Sequence, residues 1–232
     1  MDTIHRSQPL SEQVYRYVRD SILSGQMQSG EKIVETKLAN HLQVSRSPVR
    51  EAMKLLINEQ LVVDQDGALY VFQPTVHDLY ELYDLRLALE PMATRKATEN
   101  ACIRDHGPGL EKDATLHHLS ILEANIHQTR QTLENRDFNR LLSLNSEFHH
   151  TVWVMSNNTR FVRILEQVSD LIQYYCLLVL NINNRQTNIL QEHIAVYQAM
   201  KEGDPVRAQA AMFDHIKKDL NVIESQTLLS LT

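Results

Sequence analysis

The sequence predicts a mainly α-helical chain in two parts. Residues 1–74 form a small unit of three helices and a β-hairpin, and residues 76–228 form an all-α bundle of about six helices. Three observations predict this. The 232 residues hold only 6 Gly and 6 Pro, too few turn formers for a sandwich or barrel. Leu, Ala, Glu and Gln, all strong helix formers, are plentiful. The apolar pattern also changes near residue 75, from short mixed runs to long amphipathic stretches.

In the N-terminal part, Val14, Tyr17, Val18 and Ile22 fall on one stripe, so Leu10 to Ser24 reads as a helix ended by Gly25. Glu35 to Leu42 reads as a second helix with Leu38, Ala39 and Leu42 inward. After the tight turn Leu42-Gln43-Val44, a third helix runs from about Arg46 to Asn58 on an inward face of Val49, Ala52, Met53 and Leu56. Ser45 or Ser47 would cap it, with Pro48 in its first turn. Two β runs follow, Leu61 to Asp64 and Leu69 to Phe72, joined by the hairpin signal Asp66-Gly67. Three helices and a hairpin in this order are the layout of a winged helix-turn-helix, a DNA-binding unit.

The charge pattern bears on that reading. The net charge of −6 and pI of about 6.0 give no bulk attraction to nucleic acid. Any DNA contact must come from a local patch. Such a patch exists: from Lys37 to Lys54 there are four Lys and Arg residues and one acid, Glu51. Arg46, Arg50 and Lys54 line a strip beside the apolar face of the third helix. Guanidinium groups at the front of a helix pair bidentately with guanine O6 and N7 in a major groove. Lys37, Ser45, Ser47 and the helix-start N–H groups would hold phosphate oxygens. Gly67, at the small hairpin tip, would approach the backbone or minor groove. The ordinary reading of an Arg pair at i, i+4 is a solvated surface, and the ordered context weighs against it.

Gln43-Val44-Ser45-Arg46-Ser47-Pro48-Val49-Arg50-Glu51-Ala52 resembles the VSRxPVREA signature of GntR-type bacterial transcription regulators. Ile22 to Gly25 and Gly30 to Ile33 are similar in spacing to the same family. Gln43 stands where the family usually has Gly, so a non-Gly residue is expected in a left-handed turn, at about 1 kcal/mol.

The C-terminal part reads as helices at roughly 76–99, 110–134, 138–155, 159–180, 186–201 and 205–225, with 100–109 as a loop. Asp137 and Asp204 are the expected N-caps of two of them, the second with Pro205 at the first helical position. Nine of the 11 histidines lie after residue 75. Three share helix faces with apolar residues: His149 with Phe138, Leu141, Asn145, Phe148 and Val152; His193 with Ile189, Leu190, Tyr197 and Met200; His215 with Ala208, Ala211, Met212 and Leu220. A buried imidazole needs a partner. Three from three helices would satisfy one another around a divalent metal, with Zn, Ni or Cu suited to imidazole and Asn145 supplying a carbonyl oxygen. The bland alternative is three hydrogen-bonded core histidines. His117, His118 and His150 read as exterior.

Asn145 to His149 with Ser156-Asn157-Asn158, and Glu192-His193 with Gly203-Asp204 and Met212 to His215, resemble the FCD ligand-binding domain of the FadR subgroup of GntR regulators. The resemblance implies metal ligands at Asn145, His149, His193 and His215, with zinc or nickel as the ion. Tyr83 to Glu90 resembles the first helix of that domain, which implies that Arg86 holds a carboxylate effector; the bland alternative is an i, i+4 ion pair with Glu90. Small organic acids such as sugar acids, amino acids and lactate-type acids are the implied effectors.

The expected function is therefore a metabolite-responsive transcription regulator, a homodimer on a palindromic double-stranded DNA operator. Two rivals stand beside it. One is a metal-dependent hydrolase or isomerase on the histidine centre, disfavoured because there is no HExxH and Glu147 faces away. The other is a protein-association module that does not bind DNA, disfavoured by the basic strip. Two cysteines, Cys102 and Cys176, suit a reducing compartment. No apolar run reaches roughly 18 residues, and Met1 to Arg6 has no apolar signal core, so a cytoplasmic location is expected.

Overall fold

The computed structural model describes residues 8–104, 112–180 and 185–230. The chain divides into two compact units between Thr75 and Val76. Among the described residues there are ten helices and one three-stranded sheet, and no helix is long and apolar enough to cross a membrane.

The first unit contains α1 (Leu10–Leu23), β1 (Lys32–Ile33), α2 (Glu35–Leu42), α3 (Arg46–Asn58), β2 (Val62–Gln65) and β3 (Ala68–Val71). Val14, Val18 and Ile22 of α1 are buried, as are Val49, Ala52, Met53 and Leu56 of α3, with Ile33, Leu61, Val62 and Val71 adding to the core. Each such side chain contributes about 1.5–3 kcal/mol by leaving water. Gln43 ends α2 in the left-handed region, φ 54° and ψ 40°, as expected. Asp66 and Gly67 both have positive φ, 53° and 82°, the geometry a two-residue hairpin needs.

Three details differ from the sequence expectation. Tyr17 is 41% exposed rather than inward, and its hydroxyl meets His41 Nε2 at 3.2 Å. Ser45 is the N-cap residue of α3, but its side chain makes no capping hydrogen bond. The sheet has an unpredicted strand, β1, which pairs antiparallel with β3 to give the order β1-β3-β2. Two residues carry no readable alternation, so β1 is invisible to periodicity.

The second unit contains α4 (Val76–Arg104), α5 (Lys112–Asn135), α6 (Phe138–Met155), α7 (Thr159–Gln167), α8 (Ser169–Leu180), α9 (Arg185–Lys201) and α10 (Pro205–Ser230). Seven helices replace the expected six, because 159–180 is broken. Val168, at φ −110° and ψ 5°, leaves the helical region. Asp170 in the first turn of α8 then favours a new start. The helix α4 runs to Arg104, so the expected loop at 100–109 begins later; no Gly or Pro interrupts 100–104. The rest of that loop, 105–109, lies outside the described residues. Asn100 donates to the carbonyls of Met155 and Ser156, at 3.2 and 2.9 Å, and so holds the end of α6. Asp137 and Asp204 cap α6 and α10 as expected, accepting from Arg140 N and Arg207 N, each at 3.0 Å.

Candidate functional site

Two sets of polar side chains stand out, one on each unit, and they differ in burial. On the first unit, Lys37, Ser45, Arg46, Ser47, Arg50, Lys54 and Gly67 are all exposed. Arg46 and Arg50 project from the first turns of α3 with side chains 59% and 58% accessible. Glu35, at the start of α2, sits between them: its Oε2 lies 3.8 Å from Arg46 Nη2 and 3.9 Å from Arg50 Nε. Glu35 stands just outside the basic strip Lys37–Lys54 in the sequence and adds an acid to its surface. Gly67 stands at the β2–β3 turn, with its N–H donating to Asp64 Oδ1 at 2.8 Å.

On the second unit, four helices bring their polar residues to one interior point. The i, i+4 spacing puts Asn145 and His149 on the inward face of α6, while α9 supplies His193 and α10 supplies His215. All four are buried. One nitrogen from each imidazole lies within 4.8 Å of the others. Phe148 stacks flat on His193, centroids 3.9 Å apart and planes 6° apart, which fixes that ring. The helix α4 contributes Arg86 and Glu90, both 0% accessible.

The carboxylates decide how the rings are presented. Glu90 accepts from Arg86 Nε at 2.7 Å, from Trp153 Nε1 at 3.0 Å and from His149 Nδ1 at 2.6 Å. Glu192 accepts from His215 Nδ1 at 2.8 Å. The Nδ1 atoms thus face carboxylates, and the two Nε2 atoms face each other at 3.2 Å. A proton on one ring or a cation shared by both satisfies two ring nitrogens at that distance. Nitrogens bound to one ion at about 2.0–2.1 Å stand about 3 Å apart, so the spacing fits a shared metal. Carboxylate partners behind metal-binding histidines also fix the tautomer and raise ligand basicity.

The charges follow from these partners. Burial alone would raise the Glu90 carboxyl, but Arg86 and His149 outweigh it and hold the group well below the usual carboxylate range. Glu192 is likewise raised by burial yet brought down to about 2 by His215 and Arg185. Burial lowers His149, with Glu90 opposing. Burial lowers His193 further, and the neighbouring rings add to it. Lowering His149 and His193 favours their neutral form, the form that binds metal.

A second ionic knot backs His215. Arg185, at the start of α9, donates Nε and Nη2 to Asp219 Oδ1 at 2.9 and 2.6 Å. Its Nη1 and Nη2 also reach the two oxygens of Glu192 at 2.9 and 2.8 Å. This knot ties α9 to α10 directly behind the ring.

Among the described residues, six buried side-chain atoms have no hydrogen-bond partner: Arg86 Nη1 and Nη2, Asn145 Oδ1, His193 Nε2, Tyr83 OH and Asn125 Oδ1. Asn145 Nδ2 is occupied, 3.6 Å from Cys176 Sγ, which leaves its carbonyl oxygen as the free end. Leaving such groups unpaired costs about 1–3 kcal/mol each.

Residues 10–68 match the bacterial regulatory proteins of the gntR family, and residues 110–218 match the FCD domain. The chain belongs to the GntR family. It is a transcription regulator with a DNA-binding helix-turn-helix and an FCD effector-binding domain. It is 29% identical over 213 residues to the HTH-type transcriptional regulator YdhC of Bacillus subtilis, covering 91% of this chain and 89% of that protein. It is 28% identical over 193 residues to the gluconate operon transcriptional repressor of the same species, covering 81% and 74%. The solved structure of Escherichia coli McbR/YncC shares the fold, with a TM-score of 0.74 at 20% identity over 95% of this chain and 100% of that one. These relatives are regulators and not enzymes, which places the GntR chain in the first of the classes considered above.

The residues named from sequence for the second site, Arg86, Asn145, His149, His193 and His215, all reach the same interior. The carboxylate partners were not foreseen. Glu90 was read only as the i, i+4 partner of Arg86, and Glu192 only as a neighbour of His193 in the chain. Asp219 had a usable signal, since it stands i+4 from His215. Tyr83 and Trp153 had none, because aromatic residues on an inward stripe read as core. His150 is exposed as expected, paired with Glu166 at 3.1 Å.

Proposed function

We propose that this GntR regulator is a homodimer that reads a palindromic operator through Arg46 and Arg50. Lys37, Ser45, Ser47 and Gly67 would hold the DNA backbone. Its FCD domain binds a divalent metal through His149, His193, His215 and Asn145, and a small carboxylate effector through Arg86. The observation that carries the reading is the set of inward-facing imidazole nitrogens with orphaned Asn145 Oδ1 and Arg86 Nη atoms beside them.

The donor set is three imidazoles and one amide oxygen, which suits zinc or nickel. Such an ion supplies a Lewis acid that draws in a carboxylate oxygen. The protein supplies the rest. Glu90 and Glu192 keep the rings in the ligating tautomer, and Arg86, anchored through Nε, turns its free Nη edge to the acid. The relative named for a gluconate operon fits this class, gluconate being a small organic acid.

A two-fold protein sets two reading helices on half-sites about one turn apart. The effector acts by binding unequally to the DNA-competent state and its alternative. A cytoplasmic location, where operator DNA lies, follows from the same reading. Elemental analysis of purified protein tests the centre. One equivalent of zinc or nickel per chain is expected, and its loss in His149→Ala. Metal retained unchanged in that variant contradicts the ligand assignment.

A further inference from the structure

Glu35 is the residue of the first unit that contact with DNA does not by itself explain. An acid beside groups that approach phosphates repels them, and it costs affinity on every duplex alike. The first turn of a helix favours an acid, and Glu35 opens α2. That accounts for a negative charge at this position, but not for where the side chain goes. The carboxylate turns toward α3 and stands between two arginines. Its side chain is 21% accessible, against 59% and 58% for theirs.

The two approaches are not equivalent. Arg46 meets Glu35 Oε2 through Nη2, an outer nitrogen of its fork. Arg50 meets the same oxygen through Nε, the nitrogen nearest its own stem. To turn Nη2 to a base, Arg46 must give the carboxylate up. Arg50 need not, because a carboxylate on Nε leaves both Nη groups for guanine O6 and N7. Once Arg46 has turned to DNA, Glu35 is left to Arg50 alone. Closing from 3.9 Å to hydrogen-bond length then takes a shift of about 1 Å.

Such a hold answers a need. A long, solvated arginine samples many rotamers, yet bidentate reading succeeds in one orientation of the fork. Recognition groups are precise when a neighbouring side chain fixes them.

We infer that Glu35 is a positioning residue for base reading: on DNA its carboxylate takes Arg50 Nε and fixes the plane in which the Nη groups meet guanine. This rests on the reading of Arg50 as a base contact. The acid thereby weakens binding to any duplex and sharpens the choice between duplexes.

The test uses the full chain at one salt concentration, as wild type, Glu35→Ala, Glu35→Asp, Arg50→Ala and the double variant Glu35→Ala/Arg50→Ala. The probes are a duplex selected from random sequence by wild type, the same duplex with single guanines replaced, and an unrelated duplex. The guanine whose preference disappears in Arg50→Ala is the one that Arg50 reads. In Glu35→Ala the preference for that guanine is expected to fall about 5-fold, the low end of what a bidentate base contact discriminates. Affinity for the unrelated duplex rises about 2-fold, because a repulsive charge is gone. Glu35→Asp keeps an acid at the start of α2 but is one methylene too short to reach Nε, and the same preference falls in it. In the Arg50→Ala background, Glu35→Ala changes the ratio of selected to unrelated affinity by less than about 2-fold, the mark of two residues acting as one unit. A guanine preference that persists in Glu35→Ala, or a wild-type preference in Glu35→Asp, overturns the inference and leaves Glu35 a helix-start acid. An equal fall with and without Arg50 overturns it as well. If Arg50→Ala loses no guanine preference, the reading of Arg50 fails, and the Glu35 inference with it.

Discussion

Arginine is used in opposite ways in the two units. Arg46 and Arg50 are more than half accessible, and the Glu35 carboxylate lies 3.8 and 3.9 Å from them, beyond ordinary hydrogen-bond length. Arg86 and Arg185 are almost wholly buried and meet carboxylates at 2.6–2.9 Å. The exposed pair is hydrated and loosely held, so it can exchange its partner for a base edge at small cost. The buried pair cannot be separated from its carboxylates without leaving a charge stranded. One unit therefore leaves its charge open to solvent, and the other uses charge to hold imidazoles in a fixed orientation.

That contrast predicts very unequal responses to removing the carboxylate in each place. Glu90→Ala strands Arg86, His149 Nδ1 and Trp153 Nε1 together. The helical unit is expected to lose about 3–5 kcal/mol in urea unfolding of the metal-free protein. A loss below 1 kcal/mol would mean that the buried pair is not what orders this interior. Next in size is a pH effect confined to the buried side. Burial lowers His149 and His193 in the folded protein. Below about pH 6.5 the unfolded chain takes up protons that the folded chain refuses. Stability of the metal-free protein therefore falls as pH drops from 7.5 to 5.5, by up to about 1.4 kcal/mol per pH unit for each ring. A stability that rises on acidification would show that these rings are charged in the fold. The smallest effect belongs to the exposed side: Glu35→Ala changes unfolding stability by no more than about 1 kcal/mol, because its arginines are solvated.

The legible and illegible parts of the molecule divide on physical lines. Helices α2 and α3 and the hairpin tip are readable because their signals are local, apolar period and Asp66-Gly67, while the left-handed turn at Gln43 follows from the family resemblance. The inward histidines were readable because a polar residue on an apolar stripe is an anomaly within one helix. What pairs with them was not. Glu90 reaches His149 across 59 positions in the chain, and Glu192 reaches His215 across 23. Long-range partners leave no periodic trace. The break at Val168 is marked only by Ser169-Asp170, a weak start signal with no Gly or Pro to stop the helix before it. Glu35 carries no such trace either, because it meets Arg46 and Arg50 across the turn between α2 and α3.

The claim that the exposed guanidiniums read bases, rather than only neutralising phosphate, is tested most directly by Arg50→Lys. The substitution keeps the charge and removes the bidentate fork. Binding is measured over a range of salt on a duplex selected from random sequence and on an unrelated duplex. The ratio of specific to non-specific affinity is expected to fall about 10-fold, with the salt slope unchanged. An unchanged ratio would contradict the account and leave Arg50 a phosphate contact.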